Sequence, residues 1–182
     1  MSTQPATSTE KDPRFPIGKF SRSAANLADH RSSIAVLALL PEKLRSAVHG
    51  LGDAQLDTPY RDGGWTLRQL VHHVADSHMN AYVRIRLALT EDWPTIKPYD
   101  EKVWAELPDA RTAPVSTSLS LIDALHERWT LLLRSLTEEQ WQRGYIHPVN
   151  GRQTIAEAAA LYDWHSRHHV AHIEELRKSR SW

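Results

Sequence analysis

The chain reads as an all-α protein, a four-helix bundle, and three observations predict it. Four segments carry apolar residues at three- and four-residue steps. No stretch alternates apolar and polar residues as a half-buried strand does, and no internal repeat is visible. A proline-bearing stretch, Glu91 to Val115, separates the second helical segment from the third. Its length suits a crossover along the bundle better than a tight turn between neighbours. The 182 residues suffice for one core and one domain, placed at 15–182. A tail rich in Ser, Thr, Pro and charge precedes it at 1–14 and is expected to be disordered.

Taken in order, Phe15 to Phe20 reads as an ordered, extended lead-in. The helical pattern begins near Asp29, where Ile34, Leu37, Leu40, Leu44 and Val48 share a stripe. Pro41 interrupts this stripe, so a kink or two short helices are expected, and Gly50 and Gly52 stop it. After the Asp62-Gly63-Gly64 turn, Thr66 is the expected N-cap of a second helix reaching about Thr90. Its stripe is Leu67, Leu70, Val71, Val74, Ala81, Ile85, Ala88 and Leu89. A third helix spans about Ser116 to Leu136 around Leu119, Ile122, Leu125, Trp129 and Leu132. Thr137-Glu138-Glu139-Gln140 has the form of a capping box opening a short helix. His147 to Gly151 reads as a turn, and the last helix spans about Thr154 to Lys178.

Composition excludes several classes of function. With 22 basic and 22 acidic residues the formal net charge is +0, so direct nucleic-acid binding and capture by an anionic membrane are not expected. No apolar run approaches the ~20 residues that span a bilayer, and the first twelve residues hold no signal-peptide core. A cytoplasmic protein is expected. The chain has no cysteine, which removes disulfides, thiolate metal sites and a cysteine nucleophile together. Walker, GxGxxG, HExxH and GxSxG patterns are absent.

Histidine is the unusual residue, at 11 in the chain. His165 to His172 packs four histidines into eight residues. His165/His169 and His168/His172 each stand four apart, which on a helix puts both imidazoles of a pair within reach of one ion. The inward stripe of the last helix is Ile155, Ala158, Ala159, Tyr162, Ser166, His169, Ile173 and Leu176. His169 lies inside it and His165 at its edge, so these two are the better ligand pair. His168 and His172 fall further round, toward solvent or a second interface. Burying two unpaired imidazoles costs several kcal/mol unless something satisfies them, which favours a metal over surface histidines.

A third ligand must come from His72, His73 or His78. On the second helix His78 lies almost in line with the apolar stripe. His73 belongs to a polar lane of Thr66, Gln69, His73, Ser77, Asn80 and Arg84, which either lines a pocket or is the solvated face. Periodicity does not choose between His73 and His78. Asp76, Ser77, Asn80 and Arg84 are the nearest polar candidates for outer ligand-sphere or substrate contacts, with His172 a further one. Trp65, Trp129, Trp141, Tyr162 and Trp164 read mainly as core anchors, with one or two walling a pocket. His126 and His147 have no partner at ligand spacing and read as structural or surface residues.

The run Gly64-Trp65-Thr66-Leu67-Arg68-Gln69-Leu70-Val71-His72-His73-Val74-Ala75-Asp76-Ser77-His78-Met79-Asn80 resembles the second helix of the DinB/YfiT-like family. Its members are described as metal-dependent hydrolases and are related to bacillithiol S-transferases. Phe15 to Phe20, Leu56 to Arg61, Leu89 to Asp92, Pro98 to Glu101, Leu125 to Trp129, His147-Pro148 and Trp164 to Ile173 also match its YfiT branch, so the resemblance covers roughly 14–178. It implies a four-helix bundle with a divalent ion on three histidines. In the family pattern the ligand follows eight residues after the tryptophan of a Trp-Thr pair, which lands on His73, and the HxxxH pair lands on His165 and His169. Many relatives continue with Arg-Gly-Gln; this chain has Val170-Ala171-His172, as in the YfiT branch. Members of this branch are also described as homodimers.

The expected activity is that of a metal enzyme on a small-molecule substrate. Zinc on three neutral imidazoles with an open position lowers the pKa of a bound water from ~15.7 toward ~7 and supports hydrolysis. Nickel or iron suits the same ligands. The open position also suits an external low-molecular-weight thiol, which makes S-transfer the alternative reaction. The rival from another class is a metal- or ligand-binding protein without turnover. A site closed by a fourth protein ligand, His78 or His172, would favour that rival.

Overall fold

The computed structural model describes residues 12–22 and 29–182. The tail expected at 1–14 therefore lies outside the described residues over 1–11, and Asp12 to Arg14 form a turn. The lead-in is not extended. It makes two successive turns, Phe15 N–H donating to the Asp12 carbonyl and Gly18 N–H to the Phe15 carbonyl.

The first long helix, α1, spans His30–Val48, with the Asp29 carboxylate accepting from the Ser32 N–H. It runs through Pro41 as one helix, which corrects the alternative of two short helices. Proline removes the donor that would reach the Leu37 carbonyl four residues back. The His126 Nδ1 fills that vacancy at 2.7 Å from the Leu37 oxygen. Next come α2, Asp53–Leu56, and α3, Leu67–Thr90. The Thr66 hydroxyl accepts from Gln69 N–H and the Gln69 side chain from Thr66 N–H, a reciprocal cap at the start of α3. The crossover carries two short helices that periodicity had not revealed, α4 at Glu101–Ala105 and α5 at Pro108–Thr112. Then α6 spans Val115–Arg134, and Thr137 caps α7, Glu138–Trp141.

A two-stranded antiparallel hairpin follows, β1 at Gly144–His147 and β2 at Gly151–Thr154. Only its turn was expected. Two four-residue strands are too short for alternation to register. Their position depends on a close approach, since a Cβ on Gly144 would overlap the Gln153 carbonyl and sit 2.8 Å from the Trp93 ring. Last is α8, Ile155–Arg180, opened by a Thr154/Glu157 capping box. Among the described residues no helix is long and apolar enough to cross a membrane.

The four long helices form the predicted bundle, in which α1 packs on α8 and α6, and α3 packs on α6 and α8. Cross-helix bonds fix the directions. Ser33 meets Asp163 and Arg177 reaches the Ala47 carbonyl, so α1 and α8 are parallel. His72 meets Ser118 and His78 meets His126, so α3 and α6 are parallel too. Joining the end of α3 to the start of a parallel α6 requires a chain running back along the bundle, which is the expected long crossover. The buried Arg68 guanidinium donates to Asp53, Asp57 and the Ala113 carbonyl, pinning that crossover to α3.

The apolar core is divided. One cluster holds Leu37, Ile85, Trp129 and Ile155; the other holds Leu40, Val74, Ile122 and Ile173. Between the residues each helix gives to one cluster and to the other lie His78, His126, His165 and His169. A layer of imidazoles thus crosses the bundle at mid-height.

Candidate metal centre

His73 on α3 and the His165/His169 pair on α8 converge across the antiparallel α3–α8 contact. One ring nitrogen from each lies within 4.8 Å of the others. The Nε2 atoms of His165 and His169 are 3.1 Å apart. Two ligands of a tetrahedral ion at ~2.0–2.1 Å stand ~3.3 Å apart, so the spacing fits a zinc-sized ion. Burial also gives the required protonation state, because metal ligation needs the neutral ring. Desolvation pushes His73 down to about 4 and holds His165 and His169 well below the ordinary histidine range.

The three rings open on a cavity of about 570 Å³. Its walls include Trp65, Ser77, Arg84, Tyr99, Glu101, His147 and Tyr162. The crossover contributes Pro98, Tyr99 and Glu101, and the hairpin contributes His147, Val149 and Asn150. The polar lane of α3 is therefore covered, not solvated: Gln69 donates to the Ala105 carbonyl at 2.8 Å, while His73, Ser77 and Arg84 line the cavity. Trp65 lies against His73 with ring centroids 4.6 Å apart.

Around the cavity the proton positions are set by partners. The Tyr162 hydroxyl donates to the Ser77 carbonyl at 3.1 Å. His147 accepts from the Val149 and Asn150 N–H groups on Nδ1, which leaves its neutral ring a proton on Nε2. Burial raises the Tyr99 hydroxyl above its ordinary range, so it remains a donor at neutral pH. Arg84 forms no salt bridge among the described residues, and its charge faces the cavity.

The other sequence candidates lie elsewhere. Asp76 and Asn80 do not line the cavity; Asn80 donates to the Asp76 carbonyl, and burial raises the Asp76 carboxyl to about 6. His72 ties α3 to Ser118 of α6 and to the Ala113 carbonyl. Of the two places expected for His168 and His172, solvent or a second interface, the structure excludes solvent, because both are buried. Their Nε2 atoms meet at 3.2 Å, Trp164 stacks on His168, and Tyr60 covers His172. His172 thus does not reach the cavity.

His78 does not join the cluster of three. Its Nε2 meets the His165 Nδ1 at 3.1 Å and its Nδ1 meets the His126 Nε2 at 3.0 Å. His126, read from sequence as structural or surface, is fully buried at the end of this chain. Tyr99, Glu101, His147 and Asn150 went unrecognised as cavity residues. The only sequence signal for Tyr99, Glu101 and His147 was that Pro98 to Glu101 and His147-Pro148 match family segments, and Asn150 had none.

Known proteins are similar to this chain along almost its whole length. A protein of Bacillus subtilis (strain 168) named "Putative metal-dependent hydrolase YfiT" is 52% identical over 170 residues, 92% of this chain and 96% of that protein. A Bacillus cereus (strain B4264) protein of the same description is 51% identical over 172 residues, 94% of this chain and 99% of its own. The solved structure of B. subtilis YfiT, described as having an unusual four-helix bundle topology, superposes with a TM-score of 0.89 over 93% of this chain and 98% of that one. The DinB superfamily profile matches residues 37–173, which contain both arms of the histidine cluster, the crossover and the hairpin. By sequence, fold and the span of that match, the chain belongs to the DinB superfamily.

Proposed function

We propose that this protein is a metal-dependent hydrolase of a small molecule, with one divalent ion held by His73, His165 and His169. The observation that carries the reading is the convergence of three neutral imidazoles on one side of a substrate-sized cavity. The two side chains considered as a fourth ligand are engaged elsewhere, His78 with His126 and His165, and His172 with His168. That leaves a coordination position facing the cavity and argues against a closed, non-catalytic site. The names of the relatives point the same way.

Bound there, the ion supplies Lewis acidity, which acidifies a coordinated water and polarises an acyl oxygen. Zinc is the ion proposed; nickel and iron suit the same ligands. The remaining work falls to the chain. Arg84 attracts an anionic group of the substrate, Tyr99 donates a hydrogen bond to oxygen that gains charge, and Glu101 is the carboxylate on the wall able to take a proton. Trp65 excludes water from the His73 side. A homodimer, as described for the YfiT branch, is part of the proposal and is read by sedimentation velocity.

The test is metal analysis of the purified protein followed by a panel of esters and amides, with and without an added low-molecular-weight thiol. Metal-dependent turnover without thiol is expected. Turnover only with thiol would replace hydrolysis by S-transfer, and full metal content with no turnover in either arm would favour the binding-protein reading.

A further inference from the structure

Three hydrogen bonds link a helix backbone to a ligand of the proposed ion. The Leu37 carbonyl only accepts, so the His126 Nδ1, 2.7 Å away, carries a proton. The buried neutral ring then presents a lone pair on Nε2, and the His78 Nδ1 at 3.0 Å must donate to it. The same rule leaves His78 Nε2 as an acceptor, so the His165 Nδ1 at 3.1 Å donates. His165 Nε2 is thereby left with its lone pair, pointed at the His169 Nε2 and the cluster. Each tautomer dictates the next, and the first is dictated by a proline. Pro41 has no N–H to offer the Leu37 carbonyl, so that oxygen is open to a side chain from α6.

We propose that His78 and His126 are positioning residues that, anchored on the carbonyl freed by Pro41, hold His165 with its proton on Nδ1 and its Nε2 lone pair facing the metal ligands. A ligating histidine is oriented by what its other nitrogen donates to, usually a carboxylate or a carbonyl. Here a two-imidazole relay delivers a backbone carbonyl from the far side of the bundle. The inference rests on the metal reading above for its purpose, but not for its geometry.

The test begins with ¹⁵N-resolved imidazole NMR of the metal-free full chain. His126, His78 and His165 are expected to be protonated on Nδ1. A proton on His165 Nε2 would overturn the proposal whether or not the protein binds metal. Zinc affinity of variants then reads the coupling. His78→Leu keeps bulk but neither donor nor acceptor, and is expected to weaken zinc binding 10- to 100-fold. His78→Gln retains one of each and should recover most of that loss. His78→Leu with unchanged His165 tautomer and zinc affinity would refute the role of His78. If His78→Leu fails to fold, the wild-type tautomers and the His78→Gln affinity decide: Nδ1 protons with near-native affinity support the relay, and an Nε2 proton on His165 sinks it. Nδ1 protons in a wild-type protein that takes up no metal would leave the relay standing and remove the metal reading instead.

Discussion

Acid should unfold this protein while most of its carboxylates are still ionised. Free histidine titrates near 6.5, while burial pushes His73 and His126 down to about 4. Above pH 6.5 these rings are neutral in both folded and unfolded chains, so stability is unaffected. Between 6.5 and 4 the unfolded chain takes up protons that the folded one refuses, so stability falls as pH falls. Holding one such ring neutral over that interval costs about 3 kcal/mol. His78, His165 and His169 are held well below the ordinary range by burial too. Two such rings already remove about 6 kcal/mol from a domain whose whole stability is ~5–15 kcal/mol. A cooperative loss of helical circular dichroism is therefore expected above pH 4. Zinc at ~100 times its dissociation constant adds about 2.7 kcal/mol and moves the midpoint to lower pH, an effect absent in His73→Ala. A chain equally resistant to urea at pH 7 and pH 4.5 would refute the account of an uncharged imidazole layer.

Three further outcomes are expected. His73→Ala, His165→Ala and His169→Ala should each lose stoichiometric divalent metal by mass spectrometry, while His168→Ala and His172→Ala retain it. Arg84→Gln should raise KM for anionic substrates at least tenfold, about 1.4 kcal/mol, and leave metal content unchanged; equal effects on neutral and anionic substrates would remove its assigned role. Gly144→Ala forces β1 away from Gln153 of β2 and from Trp93 and should cost about 1–3 kcal/mol, read as a drop in Tm of several degrees.

Much of this architecture was legible in the sequence because the long helices are amphipathic. The stripes through Leu37, Val74, Trp129 and Ile173 mark faces that are indeed buried. Helical phase also singled out His165 and His169, since phase measures direction around a helix. It does not measure what waits at a given height. His73 and His78 both point inward, but His78 meets His126 and His165 where His73 meets an open cavity. The same blindness left His168 and His172 open between solvent and a second interface, since their cover comes from Tyr60, far away in the chain, and from Trp164. Pro41 was read by its local penalty alone, because the donor that repairs it lies on α6.

The bundle's wiring has a consequence for how the protein assembles. Its adjacent helix pairs include two parallel ones, and the short connections join helices on opposite corners. No hairpin of consecutive helices can therefore form first and template the rest. His73 and His165 stand about 90 residues apart in the chain, so the proposed ion-binding cluster closes a long loop late in folding. Such non-local contacts slow folding relative to an up-and-down bundle of equal length. Refolding of this chain should be slower than its helix content suggests. Ligands that meet only at its last stage would act chiefly as a brake on unfolding.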